Sequence, residues 1–180
     1  MTATAHGGTG PAAVASAIPV EVLLAAAAAG ARPEQPQALF DAVSALVREV
    51  VGYRLFSISA FVPATRELVR LYSSDEAAYP VGGRKIKRGT PWAASVLDAG
   101  EAFLGSTRDR IRDAFDDHDL IFALGLGSVI NVPVRWAGTT LGTMNLLDRE
   151  GRYGNDHLRA AVAAGQLLVP GFLARTRATE

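Results

Sequence analysis

Apolar and polar residues alternate most regularly between Gly127 and Leu147, GSVINVPVRWAGTTLGTMNLL. Two arms rich in β-branched residues flank Ala137-Gly138, a pattern that predicts two antiparallel strands joined by a tight turn. In the second arm Gly142, Met144 and Leu146 fall on one face and Leu141, Thr143 and Asn145 on the other; in the first, Asn131 alternates with Ile130 and Val132. The same period runs through Leu55 to Val62, where Phe56, Ile58, Ala60 and Val62 oppose Ser57, Ser59 and Phe61. Pro63 to Arg66 turns this strand back into a partner from Glu67 to Tyr72.

Elsewhere the period is helical. Leu39, Val43, Leu46, Val47 and Val50 make one apolar stripe that Gly52 ends. Pro19 opens a shorter helix through Val20 to Leu24 and the alanines at 25–29, stopped by Gly30. That helix is apolar on too many sides to stand alone, so it packs either on its own domain or on a second subunit. Thr90 before Pro91 marks a capped helix start running to Gly100, and Glu101 to Gly105 a short strand. Ser106 with Asp109 reads as a capping box that opens a single helix to about Leu124, with Ile111, Ala114, Phe115 and His118 on one face. A last helix, capped by Asn155 or Asp156, offers Leu158, Ala161, Val162 and Leu168 for burial before Pro170-Gly171 kinks or ends it. Ser73 to Gly89 has no period and reads as a loop of functional length. Antiparallel hairpins with helices collected around them define an α+β fold.

Composition narrows the function. The chain has 180 residues, enough for one domain with a sizeable core. Eighteen basic residues balance eighteen acidic ones, so nothing global favours nucleic acid or an anionic membrane. The absence of cysteine excludes disulfides, thiolate nucleophiles and Cys-ligated metals. Residues 1–17 are small and aperiodic, predicting a disordered tail, with a helix and linker at 18–35 and a short tail at 177–180. The first residues lack a basic segment followed by an apolar core, and no apolar run approaches the roughly 20 residues of a membrane span, so the expectation is a cytoplasmic protein.

The two sheet faces then acquire different duties. One is apolar and meets the helical stripes. The other presents Ser57, Ser59, Asn131, Thr143 and Asn145, small neutral hydrogen-bonding groups where a solvated sheet would carry Lys and Glu. These groups either bond to loop backbone alone or line a ligand pocket, and a roofed cavity of roughly a few hundred cubic ångström distinguishes the second. Next to Gly82-Gly83 stand Arg84, Lys85, Lys87 and Arg88, cations suited to a carboxylate or phosphate, although the spacing is not that of a Walker loop. Tyr79 and Trp92 are candidate pocket walls, or plain core aromatics. Asp113, Asp116, Asp117, His118 and Asp119 form an acidic run; its plainer reading is solvent-facing carboxylates paired with Arg110 or the basic loop, and an inward, satisfied His118, while the sharper one lets His118 touch a ligand or coordinate a metal.

Asn131-Val132-Pro133-Val134, a turn, and Leu141-Gly142-Thr143-Met144-Asn145-Leu146 together resemble the signature hairpin of GAF domains, and the order of elements fits that family from about residue 36 to 176. The resemblance implies a GAF-like (profilin-like) antiparallel sheet of five or six strands. It places the terminal helices on one face, often building a homodimer, and loops with short helices over a small-molecule pocket on the other. Members bind cyclic nucleotides, tetrapyrroles, haem, amino acids or other metabolites, and a few are enzymes. The cysteine-dependent reductase of free methionine sulfoxide and covalent bilin attachment are excluded here. The Asn-Lys pair of cyclic-nucleotide binders is missing, because Leu146 follows Asn145, and haem would have only His118 as axial ligand. No output segment or DNA-reading domain accompanies the unit, which reads as a stand-alone module. The expected ligand is a small anionic or zwitterionic metabolite, held by Ser57, Ser59, Tyr79, Arg84, Lys85, Trp92, His118, Asn131, Thr143 and Asn145, with no metal, no resident cofactor, no nucleic acid and no membrane partner. Two alternatives stay open: an enzyme using Asp116, Asp117 or His118 as acid or base, and a structural dimer with an empty pocket.

Overall fold

The computed structural model describes residues 18–177; the tail expected at 1–17 lies outside the described residues, as do 178–180. In chain order the elements are α1 (Val20–Ala29), α2 (Gln37–Val50), β1 (Leu55–Val62), β2 (Glu67–Ser73), β3 (Arg84–Ile86), α3 (Pro91–Ala93) running into a π-helical stretch (Ala94–Ala99), and β4 (Phe103–Gly105). There follow α4 (Arg108–Ala114), α5 (His118–Ala123), β5 (Ser128–Trp136), β6 (Thr139–Asp148), α6 (Asn155–Gly165), a 3₁₀ turn (Gln166–Leu168) and α7 (Val169–Arg177). The strands form one sheet in the order β3-β2-β1-β6-β5-β4, every neighbouring pair antiparallel.

The hairpin lies at the centre. Ala137 (φ 48°) and Gly138 (φ 79°) both take positive φ, the requirement of a two-residue turn whose twist matches its strands. Register then places Asn131 opposite Asn145 and Pro133 opposite Thr143, and across β1 sets Ser57 beside Asn145 and Ser59 beside Thr143. At Gly142 an added Cβ would lie 2.1 Å from the Ser59 carbonyl oxygen and 2.5 Å from the Phe172 ring, so β1 and α7 close on this glycine.

Alternation across these strands produces two cores. Phe56, Ile58, Ile130, Val132, Met144 and Leu146 pack with Phe40, Val43 and Val47 of α2 and with Ala161, Leu168 and Phe172 of the terminal helices. On the opposite face Leu55, Val129 and Leu147 meet Trp92, Val96, Ile111, Phe115 and Ile121 from the roof. The face assignment read from period-two alternation holds for Ile130, Val132, Met144 and Leu146, and the terminal helices cover that apolar side. Leu141, expected on the polar face, is left unpaired by a bulge opposite Val134–Arg135 and packs with the terminal-helix cluster instead.

Several expectations need correction. The loop at Ser73 to Gly89 contains β3, paired with β2 through Glu67–Ile86 and Val69–Arg84. The single helix expected from Ser106 to Leu124 is two: Thr107, not Ser106, caps α4 by accepting from the Arg110 amide, and Phe115 is extended (φ −134°, ψ 124°). Ile111 and Phe115 before the break and Ile121 after it are all buried, and the adjoining Asp116-Asp117 pair has little helix preference. Gly154 precedes α6, its amide donating to His157 Nδ1, so neither Asn155 nor Asp156 is the cap. Val162 is exposed rather than buried. Pro170 does not end the helix: it stands in the first turn of α7, after the 3₁₀ turn. The helical stretch Asn155–Arg175 reaches 21 residues at mean hydropathy 1.2, long and apolar enough by length and composition to cross a membrane. Its buried residues form the core described above. Helix α1 packs on α2 of its own chain through Ala26 and Ala29 and leaves Val20, Leu23 and Leu24 exposed.

Candidate functional site

Between the polar sheet face and the roof lies a cavity of about 70 Å³, lined by Ser57, Ser59, Asn131 and Asn145 on its floor. The floor is tied together in one hydrogen-bonded row. Trp92 Nε1 donates to Asn131 Oδ1 (3.0 Å), Asn131 Nδ2 donates to Asn145 Oδ1 (2.8 Å), and Asn145 Nδ2 donates to Ser57 Oγ (3.3 Å). The two amides therefore satisfy each other, the indole and the serine before any ligand is considered. The bonds run from side chain to side chain rather than to loop backbone, the alternative expected from sequence.

Charge enters from the β2–β3 edge. Arg70 follows Leu68 on the cavity side of β2 by simple alternation and lies opposite Ser59; the bulge at Leu71 comes after it, between the Ser59–Arg70 and Ile58–Tyr72 pairs. The backbones of Arg70 and the Gly82-Gly83 turn exchange hydrogen bonds, Gly82 N to Arg70 O and Arg70 N to Gly83 O, both 2.9 Å. A Cβ on Gly83 would stand 2.7 Å from Arg70 Nη1, so any larger residue there would displace the guanidinium. Nη1 donates to the Pro80 carbonyl (2.9 Å), and the guanidinium carbon lies 4.5 Å from the Tyr79 ring centroid. Arg70 Nε is buried and finds no hydrogen-bond partner among the described residues.

Lys85 and Lys87 follow at alternate positions. Lys85 pairs with Asp117 at the break between α4 and α5, and Tyr79 donates a long hydrogen bond (3.4 Å) to the same carboxylate oxygen. Burial pushes the Asp117 carboxyl up, but the charge and hydrogen bond of Lys85, followed by the charge of Lys87, outweigh it and hold the group below its ordinary value. Burial first, then the Asp117 charge, raises the Tyr79 phenol far above its ordinary value, so it stays protonated.

Lys87 is only 4% exposed. Its backbone is pinned by donation to Arg66 O (2.8 Å), and the next residue, Arg88, clamps the turn by donating to Thr65 O (3.1 Å). The ammonium sits to one side of the Trp92–Phe115 ring pair, 5.5 and 5.4 Å from the two ring centroids, with no ion pair or side-chain hydrogen bond among the described residues. Burial, then the like charge of Lys85, lower its pKa. The charges of Asp117 and Asp116 offset this only in part. The rings supply about 0.5–2 kcal/mol to such a cation, whereas burying a charge without a paired anion costs several, so the site carries unmet demand for an anion. Three cations, Arg70, Lys85 and Lys87, face one carboxylate.

Of the residues expected from sequence, Ser57, Ser59, Tyr79, Lys85, Trp92, Asn131 and Asn145 line the cavity. Arg84 does not: it alternates away from Lys85 and pairs with Glu67 at the surface (3.0 Å). Thr143 lies on the expected face but is wholly buried away from the cavity, its hydroxyl without a partner among the described residues. His118 is also outside the cavity. Its Nδ1 is 2.8 Å from the Phe115 carbonyl and its ring stacks obliquely with Phe122, a locally satisfied histidine on the roof. Asp116 is exposed, so of the expected acid–base trio only Asp117 reaches the site. The lining residues absent from the expected set are Arg70, Gly83, Lys87, Phe115 and Asp117, with the apolar Leu68, Ile121, Val129 and Leu147. The lysines were findable: Arg84-Lys85-Ile86-Lys87 alternates, which a strand assignment would have turned into one inward pair.

No family model and no curated protein sequence matches the chain. Among solved structures, it is similar to the GAF domain of a phosphoenolpyruvate-protein phosphotransferase from Coxiella burnetii, at TM-score 0.69 and 18% identity over 89% of this chain and 95% of that one. It is also similar to a free methionine-R-sulfoxide reductase from Neisseria meningitidis, solved with its substrate, at TM-score 0.68 and 18% identity over 88% and 90% of the two chains. A GAF domain of a two-component sensor histidine kinase from Bacillus halodurans superposes at TM-score 0.66 and 14% identity, over 79% of this chain and 97% of its own. At these identities the likeness concerns architecture: the chain has the GAF fold, a six-stranded antiparallel sheet with helices on both sides.

Proposed function

We propose that this chain is a small-molecule-binding sensory or regulatory module of the GAF fold, working in the cytoplasm, whose ligand is a small anionic or zwitterionic metabolite. One observation carries the reading: a roofed cavity built on an internally satisfied polar floor, with three cations against one carboxylate on its rim and walls. Domains of the same fold drawn from a sensor histidine kinase and a phosphotransferase support the regulatory setting. The room of about 70 Å³ falls short of the few hundred cubic ångström that would have marked a ligand pocket by volume alone, so the reading rests on the charges, and the volume limits any ligand to few atoms. Homodimerisation through the helical face belongs to the same reading, supported by Val20 and Leu24 of α1, 56% and 62% exposed.

Thermal-shift screening against amino acids, nucleotides, organic acids and inorganic anions tests the ligand, because a compound that binds only the folded state raises the midpoint. A midpoint insensitive to every class would favour a structural dimer with an empty pocket. Light scattering of the parent and of Val20→Glu with Leu24→Glu tests assembly: a dimer is expected for the first and a monomer for the second.

A further inference from the structure

Resting on that reading, we infer that the cavity is a site for a small oxyanion of about three to five heavy atoms, that Lys87 is its principal recognition residue, and that a zwitterion of the same size is rejected. The size limit comes from volume. At about 70 Å³ the cavity exceeds the ~30 Å³ share of one water and falls short of the ~150 Å³ that admits benzene.

The charge class follows from which groups are already committed. Both floor amides are paired within the row from Trp92 to Ser57, so they have little left to offer a ligand's polar atoms. Asp117 is already paired with Lys85 and accepts from Tyr79 on the same oxygen, so its charge is met and a ligand ammonium faces a surplus of cations. Among the cations the open donor is Lys87, which lines the cavity beside Trp92 and Phe115 and has no acceptor among the described residues. The Ser59 hydroxyl lines the same cavity, and Arg70, whose Nε is unpartnered among the described residues but covered, adds its charge from the edge. An oxyanion answers the lysine and the surplus of positive charge together. The Lys87 backbone is held by its bond to Arg66 O, and its side chain lines the cavity together with Trp92 and Phe115. Carboxylate and phosphate share this chemistry, and the size limit applies to either.

Isothermal titration of the whole protein with sodium acetate, sodium phosphate, glycine and, as ionic-strength control, sodium chloride tests the inference, alongside Lys87→Met checked for folding by circular dichroism. Acetate or phosphate is expected to bind the parent, glycine at least tenfold more weakly, and the folded variant is expected to lose at least tenfold in affinity for the bound anion. Amide shift changes in the NMR spectrum are expected at Leu68, Lys85, Lys87 and Phe115. Glycine binding as tightly as acetate, or undiminished anion binding by Lys87→Met, overturns the inference while leaving a small-molecule site intact. Binding of neither acetate nor phosphate, with a hit elsewhere in the metabolite panel, does the same. Silence across the whole panel removes the broader reading as well. The stronger of acetate and phosphate identifies which oxyanion the site takes.

Discussion

Lys87 concentrates the conflict between stability and recognition at a single residue. Its ammonium is buried beside Lys85 and two aromatic rings without an anionic partner, so the unliganded fold bears its desolvation. Met is nearly isosteric and removes the charge. Lys87→Met is therefore expected to raise stability without ligand by about 1 kcal/mol, or about 3 °C in Tm, and an unchanged or lower midpoint would mean that the lysine is compensated in a way the geometry does not display. Binding sites commonly hold such destabilising groups. How much of this was legible depended on register. The serines and asparagines of the floor were readable because period-two alternation is strong in β1, β5 and β6. Arg70 was within reach of the same alternation, two positions from Leu68 and opposite Ser59, but β2 is a mixed strand whose cavity face is recognised only through its pairing with β1, and the bulge at Leu71 breaks the period just beyond it. Thr143 was misplaced for a related reason: alternation gives the face but not the height along the strand at which the cavity ends.

At the level of elements, the hairpin was the most readable part and also holds an unoptimised residue. Ala137 sits at φ 48°, a region that costs a residue with a Cβ about 1 kcal/mol and that Asn tolerates better. Ala137→Asn is expected to raise the urea midpoint by the equivalent of about 0.5–1 kcal/mol with the m-value unchanged. The roof was harder to read, because a capping-box pattern and apolar spacing compatible with one helix concealed the extended Phe115 that tertiary burial demands. At the other end, α6 depends on His157, whose Nδ1 accepts from the Gly154 amide while Arg152 contacts its other nitrogen. Burial, and then the Arg152 charge, lower the His157 pKa below its ordinary 6.5. The unfolded chain thus takes up the proton first as pH falls. Stability is complete above 6.5 and declines below it, toward the lowered folded value, where the decline ends. The Tm is expected to drop between about pH 7 and 5, and to drop less in His157→Gln, whatever that variant's absolute stability. Equal slopes for the two proteins would assign the pH response to other groups.

Across the whole molecule, one sheet separates two layers of unequal cohesion. Terminal helices α2, α6 and α7 bury a continuous cluster against β1, β5 and β6, including Phe40, Phe56, Met144 and Leu168. The roof is pieced together from a short helix with a π-helical turn, a three-residue strand and two helices of 7 and 6 residues, joined by loops over the cavity. Helices this short have negligible stability of their own and hold only through Ile111, Phe115 and Ile121. Asp117 at their junction is tied to Lys85 and Tyr79, but a half-exposed ion pair adds at most about 1 kcal/mol. Opening of the roof should therefore require much less free energy than opening of the sheet. Native-state hydrogen exchange is expected to show residues 108–123 exchanging well before the amides of β1 and β6, in a separate cooperative unit. If the cavity takes an oxyanion, saturating acetate or phosphate should slow exchange at 115–118 and at 85–87, whose side chains share the site, while leaving the terminal helices nearly unaffected. Roof amides as protected as those of β6 in the unliganded protein would show instead that the two layers open together, and would remove the mechanical basis for a roof that responds to its ligand.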